Sequence, residues 1–178
     1  MGRPKGVRVA GWLVVVLALA MPTGASFARQ AATARVGVVI DGDTVGLYGG
    51  ERVRLLQIDT PELRGGECYS RAAKRALEGL TPRGTVVRLD TDSRLDKVDR
   101  YGRLLRYIFK GPVNVNLELV RWGVAAPYFY DGDRGRYADA LMAAAKAAKA
   151  ARRGLWGACP RTVLDPYHQV ETGTSGST

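Results

Sequence analysis

The chain has 178 residues, a formal net charge of +10, two cysteines and a single histidine. A chain of this length supports one domain with a proper hydrophobic core and excludes two domains of ordinary size. The positive charge favours polyanionic partners without selecting among them, and two cysteines with no histidine nearby exclude a four-ligand zinc site.

The N-terminus has the composition of an export signal. Arg3, Lys5 and Arg8 precede an apolar run over residues 9–21, and small residues follow. This run is shorter than the roughly 20 residues needed to cross a bilayer. We therefore predict a cleaved signal peptide over residues 1–28 and a secreted or periplasmic protein without stable membrane association. An uncleaved membrane anchor is the alternative.

The first elements after this segment are predicted to form a β-hairpin. Apolar residues alternate over residues 36–47, interrupted by an acidic turn, and Gly49 and Gly50 allow a tight reversal. Residues 52–58 should return antiparallel, and Pro61 ends that strand because it has no N–H for the ladder.

The rest of the chain mixes helices and strands. Helical spacing predicts helices over residues 68–80, 115–122 and 136–153, whereas valine-rich or alternating segments predict strands over residues 85–89 and 104–110. Strands that close on themselves with helices appended indicate a small barrel of the α+β class, mainly β, rather than a parallel sheet.

The C-terminus is polar, and residues 165–178 are predicted to be a disordered tail. The only histidine, His168, lies in this segment. Proton transfer at any active site is therefore expected from carboxylates, arginines or metal-bound water rather than from an imidazole.

The two cysteines are expected to form a disulfide. Export would place Cys68 and Cys159 in an oxidising compartment, where a bonded pair is the usual state. The bond would close a loop of 91 residues. The chain-entropy treatment assigns such a loop roughly 4–5 kcal/mol of stabilisation.

The acidic turn after the first strand is not a helix-loop-helix calcium loop. Counted from Asp41, such a loop needs an oxygen ligand at position 5 and a glutamate at position 12, where this chain has Val45 and Arg52. Asp43 and Asp59 nevertheless stand at the ends of two strands that should pair. A divalent cation would relieve their repulsion. Calcium suits such all-oxygen ligands, magnesium and manganese fit on the same grounds, and an ordinary turn is the structural alternative.

Two arginines offer the chemistry that a phosphodiester reaction needs. A guanidinium can bind two phosphate oxygens at once, and the contact strengthens as charge develops in the transition state. Arg54 and Arg103 are candidates, although solvated strand arginines are the ordinary alternative. Tyr101, Tyr128 and Tyr130 are compatible with stacking on bases or with covering the core.

Three motifs in order resemble the staphylococcal nuclease family. They are Asp41-Gly42-Asp43-Thr44, Arg54-Leu55-Leu56-x-x-Asp59-Thr60-Pro61-Glu62 and Asp99-x-Tyr101-Gly102-Arg103. The resemblance covers about residues 34–157 and implies a five-stranded OB-fold barrel with three helices in a domain over residues 29–164. It also implies calcium-dependent endonuclease activity, the hydrolysis of DNA and RNA to 3′-phosphorylated products.

The resemblance also implies a role for each site residue. Asp43 and Asp59 would be calcium ligands, with the backbone carbonyl of Thr60 as a third. Glu62 would act as a general base on the attacking water or orient it.

The basic and aromatic positions carry over in the same way. Arg54 and Arg103 would bind the phosphate and stabilise the pentacoordinate state, and Arg103 would also assist the departing 5′ oxygen. Tyr101, Tyr128 and Tyr130 would line the nucleotide site. The loop after Glu62 is shorter than in the family's type member, which leaves polymer preference open.

The leading hypothesis is an exported, monomeric, calcium-dependent nuclease acting on DNA and RNA. The main alternative is an OB module that binds nucleic acid without cleaving it, and a structural calcium-binding domain is a third. A binding module has no use for Asp43, Asp59 and Glu62, whose charge repels phosphates in the absence of a metal.

Overall fold

The computed structural model describes residues 1–2 and 32–173. The predicted signal peptide lies outside the described residues, apart from its first two. The chain divides into two compact units, Met1–Gln30 and Ala31–Thr178, and all of the described strands and helices belong to the second. Within the described residues, no helix is both long and apolar enough to span a membrane.

The described part of the chain contains eight strands and four α-helices. The strands are β1 (Ala32–Val39), β2 (Thr44–Leu47), β3 (Arg52–Leu55), β4 (Ile58–Asp59), β5 (Val86–Asp90), β6 (Leu104–Lys110), β7 (Val113–Asn114) and β8 (Ala126–Pro127). The helices are α1 (Ser70–Leu80), α2 (Val115–Arg121), α3 (Ala138–Ala150) and α4 (Leu155–Ala158). The fourth helix, a single turn after Gly154, was not predicted because four residues carry no readable period.

Five of the strands close into a barrel. β1 pairs antiparallel with β2 and β5, β2 pairs with β3, and β5 pairs with β6. A parallel pairing between β3 and β6 closes the ring. The predicted five-stranded OB-fold barrel of mainly β structure is therefore confirmed, with one helix more than the three expected.

β1 pairs with two different strands because it bends. Its first half pairs with β5 and its second half with β2, and the register shifts between Val36 and Val38. Gly37 lies at this irregularity, where a Cβ would approach the backbone oxygen of Gly46 to 3.3 Å. A bulge of this kind curves a strand, which is what a small closed barrel requires.

The core fills the barrel and continues under the helices. Inward-facing side chains such as Val45, Val53 and Ile108 are fully buried, and Leu119 of α2 and Leu141 of α3 pack against them. The alanines on α3 allow it to pack closely against α2. The barrel and these two helices therefore share one hydrophobic core.

The predicted single strand over residues 52–58 is wrong, since it divides into β3 and β4. Gln57 breaks it by adopting a left-handed φ of 59°. Its side-chain oxygen accepts hydrogen bonds from the hydroxyl of Tyr107 (3.0 Å) and the N–H of Gly135 (2.9 Å). These partners are distant in sequence, so local periodicity could not predict the break.

The disulfide between Cys68 and Cys159 is present, with the two Cα atoms 6.0 Å apart. It joins the segment before α1 to the end of α4. Residues 165–173 do not form the disordered tail that their polar composition predicts. Val170 is only 6% exposed, and the carbonyl of Gly173 accepts a 2.7 Å hydrogen bond from the N–H of Cys68. Residues 174–178 lie outside the described residues.

Candidate active site

The acidic turn between β1 and β2 packs against the chain that follows β4. Gly42 makes this approach possible, because a Cβ there would lie 2.6 Å from Oγ1 of Thr60 and 2.7 Å from the Cβ of Ala73. Oδ2 of Asp43 accepts hydrogen bonds from both the N–H and the hydroxyl of Thr60, each at 3.0 Å. The structure thus brings Asp43 to the Asp59–Thr60 corner, as the strand pairing predicts.

The Arg54 guanidinium makes four polar contacts at this corner. Nη1 donates to the carbonyl oxygens of Leu55 (3.1 Å) and Ile58 (2.7 Å), which the turn at Gln57 points toward it. Nη1 also lies 3.1 Å from Oδ2 of Asp43, and Nη2 donates to Oδ1 of Asp59 at 2.7 Å. One guanidinium therefore bridges the two candidate metal ligands.

Burial dominates the electrostatics of these two acids. Asp43 is 5% exposed and Asp59 is 3% exposed. Desolvation raises the pKa of Asp43 to about 7, with Asp41 and Asp59 adding to the rise and Arg54 opposing it. Desolvation likewise raises the pKa of Asp59 against the opposing effect of Arg54. A single arginine does not fully compensate this group of acids, so a further positive charge would be favourable.

The pKa of Arg54 is also raised, which for a guanidinium favours the charged form. Burial works to lower the pKa of its guanidinium, but the surrounding acids, Asp43 and Asp59 foremost, together outweigh burial and raise it. The side chain is 12% exposed. Arg54 therefore stays charged and acts as a permanent cation between two poorly solvated carboxylates.

The donor set suits a hard divalent cation. Asp43, Asp59 and the carbonyl of Thr60 offer only oxygen, which calcium prefers, and the acids carry more negative charge than Arg54 offsets. Within residues 1–2 and 32–173, no group of three or more histidine, cysteine, aspartate or glutamate side chains is placed to hold a metal. A cation here would thus rely on two carboxylates and a main-chain oxygen rather than on a larger acidic cage.

Glu62 is exposed and lies in the field of the same acids. Partial burial raises the pKa of its carboxyl, and the negative charges of Asp59 and Asp41 raise it further. Its backbone N–H donates to a carboxylate oxygen of Glu67 at 3.0 Å, which fixes the main chain at this point. A carboxylate with a raised pKa is a stronger base, as proton abstraction from water requires.

Arg103 lies on a second loop, held by Asp99. Oδ2 of Asp99 accepts from Nε of Arg103 at 2.6 Å, and Oδ1 accepts from the N–H groups of Tyr101 and Arg103, both at 2.9 Å. Burial tends to raise the pKa of Asp99, but these hydrogen bonds outweigh it and lower the pKa. Arg103 also contributes to lowering the pKa of Asp59 against the larger effect of burial, so its charge favours the ionised form of that carboxyl.

The candidate tyrosines contact one another or the arginines of this region. Tyr101 is 61% exposed, and the guanidinium carbons of Arg100 and Arg103 lie 5.0 Å and 5.4 Å from the centroid of its ring. Tyr128 and Tyr130 contact edge-to-face, with ring centroids 6.4 Å apart. Burial raises the pKa of Tyr128, and the charge of Asp59 adds to the rise.

Pairing of β4 with β8 brings the segment that carries Tyr128 next to Asp59. Asp59 is opposite Ala126 in this two-stranded sheet, and the N–H of Tyr128 donates to the carbonyl of Gln57 at 3.0 Å. The sequence patterns did not identify this pairing, because two-residue strands have no readable alternation.

Asp41 is a further acid of this corner that was not among the predicted site residues. Its Oδ1 accepts from the N–H of Asp43 at 3.1 Å, and its charge contributes to the raised pKa values of Asp43, Asp59 and Glu62. The motif contains this residue, but an aspartate before glycine is also an ordinary turn former. Its sequence signal was therefore ambiguous.

The family model described as "Staphylococcal nuclease homologue" matches residues 52–158, more than half of the chain. This chain belongs to the staphylococcal nuclease family. It is 32% identical over 124 residues to a thermonuclease of Staphylococcus intermedius, covering 66% of this chain and 72% of that protein. It is 29% identical over 130 residues to a thermonuclease of Staphylococcus hyicus, covering 70% of this chain and 75% of that one.

A third relative is endonuclease YncB of Bacillus subtilis (strain 168). The two chains are 31% identical over 124 residues, which is 66% of this chain and 58% of YncB. Membership of the staphylococcal nuclease family confirms the predicted resemblance and, with the nuclease names of these relatives, the predicted hydrolase class. The family match includes Arg54, Asp59 and Glu62 but begins after Asp43, so the position of Asp43 in the site rests on the contacts described above.

Proposed function

We propose that this chain is an exported, calcium-dependent nuclease that hydrolyses phosphodiester bonds of DNA and RNA and leaves 3′-phosphorylated products. The observation that carries the proposal is the bridge from Arg54 to Asp43 and Asp59, at 3.1 Å and 2.7 Å. It supports the proposal because Arg54, which would bind the phosphate, lies beside two buried carboxylates that a further positive charge would stabilise. A module that only binds nucleic acid gains nothing from burying acids at its phosphate site.

Asp43, Asp59 and the Thr60 carbonyl would hold the calcium ion. Bound there, calcium would neutralise the acids and attract and polarise the phosphate group of the substrate. The short loop between β3 and β4 keeps Arg54 against the same carboxylates. Cation site and guanidinium are therefore positioned by one structural unit.

The arginines would act on the phosphate oxygens. A guanidinium offers five N–H donors in a plane, and its contacts with phosphate are stronger when the oxygens carry more charge. Arg54 would stabilise the charge that develops on the equatorial oxygens, and Arg103, on the loop held by Asp99, would bind the phosphate and assist the departing 5′ oxygen. This differential stabilisation lowers the barrier to hydrolysis.

Glu62 would accept a proton from the attacking water. Its exposed part allows water to reach it, and partial burial together with the acids around it raises its pKa and hence its basicity. The exposed rings of Tyr101 and Tyr130, together with Tyr128, would support the bases of the substrate. Stacking of this kind tolerates any base, which is consistent with action on both DNA and RNA.

Export belongs to the same proposal. Cleavage after residue 28 would release a monomer into the periplasm or the medium, without stable membrane association. The bonded pair Cys68–Cys159 supports an oxidising compartment, since disulfides persist there. N-terminal sequencing of the protein recovered outside the cytoplasm tests this part, and an intact N-terminus on membrane-bound protein would favour the anchored alternative.

The deciding experiment is degradation of single-stranded DNA and of RNA by the purified chain with calcium, with magnesium, with manganese and with chelator. Cleavage that requires calcium and leaves 3′-phosphate ends is the expected result. Cleavage that persists in chelator would overturn the metal assignment. Binding without cleavage in every metal would instead identify a catalytically silent OB module.

A further inference from the structure

The segment over residues 165–173, here called the C-terminal strap, runs back across the candidate site. At one end the carbonyl of Pro166 accepts a hydrogen bond from the N–H of Phe129 at 2.6 Å. At the other end Thr172 donates through its hydroxyl to the carbonyl of Cys68 at 2.8 Å. The strap therefore connects the segment that carries the candidate tyrosines with the disulfide-bonded start of the first helix.

Between these two anchors the strap touches a candidate metal ligand. The backbone N–H of Val170 donates to Oδ2 of Asp59 at 2.8 Å, in a buried contact between residues 111 positions apart. The other oxygen of the same carboxylate, Oδ1, accepts from Arg54 at 2.7 Å. Each oxygen of Asp59 thus has its own donor, and the two hydrogen bonds together restrict the orientation of the carboxylate.

Packing keeps the Val170 N–H in place. The Val170 side chain belongs to a small apolar cluster with Trp156, Leu155, Ala126 and Cys159. The disulfide holds this cluster together from both sides, because Cys68 packs against it as well. An isolated polar tail would sample many conformations, whereas this one is fixed by a buried valine and hydrogen bonds on each side of it.

We propose that the C-terminal strap is a positioning element of the cation site: the Val170 N–H holds the Asp59 carboxylate in the orientation that binds the divalent cation. The inference rests on the calcium site proposed above. Hydrogen bonds to the groups that ligate a metal orient them, and removing one such partner typically weakens metal binding about 10- to 100-fold. The role belongs to the N–H of residue 170 and not to its side chain.

The test compares Val170→Pro with Val170→Ala in the full chain, using calcium alone as the titrant in isothermal calorimetry on chelator-treated protein. Val170→Pro lacks the N–H, and its calcium dissociation constant should rise about 10-fold or more. Val170→Ala keeps the N–H and loses only packing, so its melting temperature should fall while its dissociation constant stays within about threefold. Equal dissociation constants in the two variants would overturn the inference.

A second pair of variants covers the case in which Val170→Pro does not fold. Deletion of residues 165–178 should weaken calcium binding as Val170→Pro does, and deletion of residues 174–178 should not. If neither Val170→Pro nor the longer deletion folds, exchange of the Val170 amide proton in the full chain decides. Calcium should slow that exchange, and exchange unaffected by calcium would overturn the inference.

The same titrations separate this inference from the proposed function. A full chain that binds no calcium contradicts the proposed cation site and the strap's role together. A full chain and variants that bind calcium equally well leave the proposed nuclease intact and remove only the role of the strap.

Discussion

Replacing Arg54 with lysine keeps the charge but removes most of the geometry of the site. The guanidinium makes four polar contacts through two nitrogens, to two carboxylates and two carbonyl oxygens. A lysine has one nitrogen with three donors and cannot span the same set of acceptors. We expect at least two of the four contacts to be lost.

The magnitude follows from the burial of the partners. Hydrogen bonds to charged groups contribute about 1.5–3 kcal/mol each, so two lost contacts give about 3 kcal/mol at the low end of that range. Breaking a buried ion pair outright costs about 3–5 kcal/mol, because the remaining charge is left in a poorly solvated place. We therefore predict that Arg54→Lys lowers the free energy of unfolding by about 3 kcal/mol in the absence of calcium.

Urea denaturation in chelator, followed by tryptophan fluorescence, measures this change. Arg52→Lys is the matched control, because Arg52 lies two positions earlier on the same strand and is exposed. The control should stay within about 0.5 kcal/mol of the unaltered chain. The dependence of the free energy on urea should be the same in all three proteins, so that the midpoints report stability.

The nuclease assay adds an independent result for the same variant. In the absence of urea, where the variant is folded, Arg54→Lys should still lose nuclease activity, because an ammonium cannot bind two phosphate oxygens in the bidentate manner. A free energy of unfolding within about 0.5 kcal/mol of that of the unaltered chain would refute the energetic importance of the bridge. Full activity would refute the proposed role of Arg54 at the phosphate.

Three further predictions concern other residues. Glu62→Gln should lower kcat by a factor on the order of 10²–10⁴ and leave the Kd for substrate nearly unchanged. Glu51→Gln, at an exposed glutamate, is the control. A kcat within about a factor of two of the unaltered chain would remove Glu62 from the mechanism. The pKa of Asp43 is raised from 3.8 to about 7, so the folded chain binds more protons than the unfolded chain between these values. The contribution of Asp43 to calcium-free stability should thus be largest below the lower value and fall, by up to roughly 4 kcal/mol, as pH rises through the higher one. Asp43→Asn should remove this part of the pH profile of urea midpoints, and an unchanged profile would contradict the assignment. The double variant Cys68→Ser with Cys159→Ser should have a free energy of unfolding lower by up to roughly 4–5 kcal/mol, measured as a lower urea midpoint. Reduction of the disulfide in the unaltered chain should lower the midpoint by the same amount. A midpoint unaffected by either change would show that the bond does not stabilise the fold.

Local patterns predicted most of the elements of this fold. Alternation identified the strands of the first hairpin, and helical spacing identified α1, α2 and α3 within a few residues of their bounds. These features depend on neighbouring residues in the chain, so they are readable from one sequence. The break at Gln57 was not readable, because Tyr107 and Gly135 bind its side chain from distant segments.

The C-terminus shows the same limit in a different way. Its average composition is polar and predicted disorder over residues 165–178, yet residues 165–173 pack on the domain. One buried valine, Val170, and a few backbone hydrogen bonds are sufficient to hold them. Composition averages over a segment and cannot register a single anchoring residue whose partners lie elsewhere.

The sequence by itself determined the chemical inventory of the protein: the acids and arginines of three motifs, the two cysteines and the strand pattern of a small barrel. Only the tertiary structure decided that Arg54 bridges Asp43 and Asp59, and that the N–H of Val170 donates to the Asp59 carboxylate from 111 residues away. The reason is physical. Residue types and spacing are local properties of the chain, whereas burial and the hydrogen-bond partners of a side chain depend on which distant segments the closed barrel brings together.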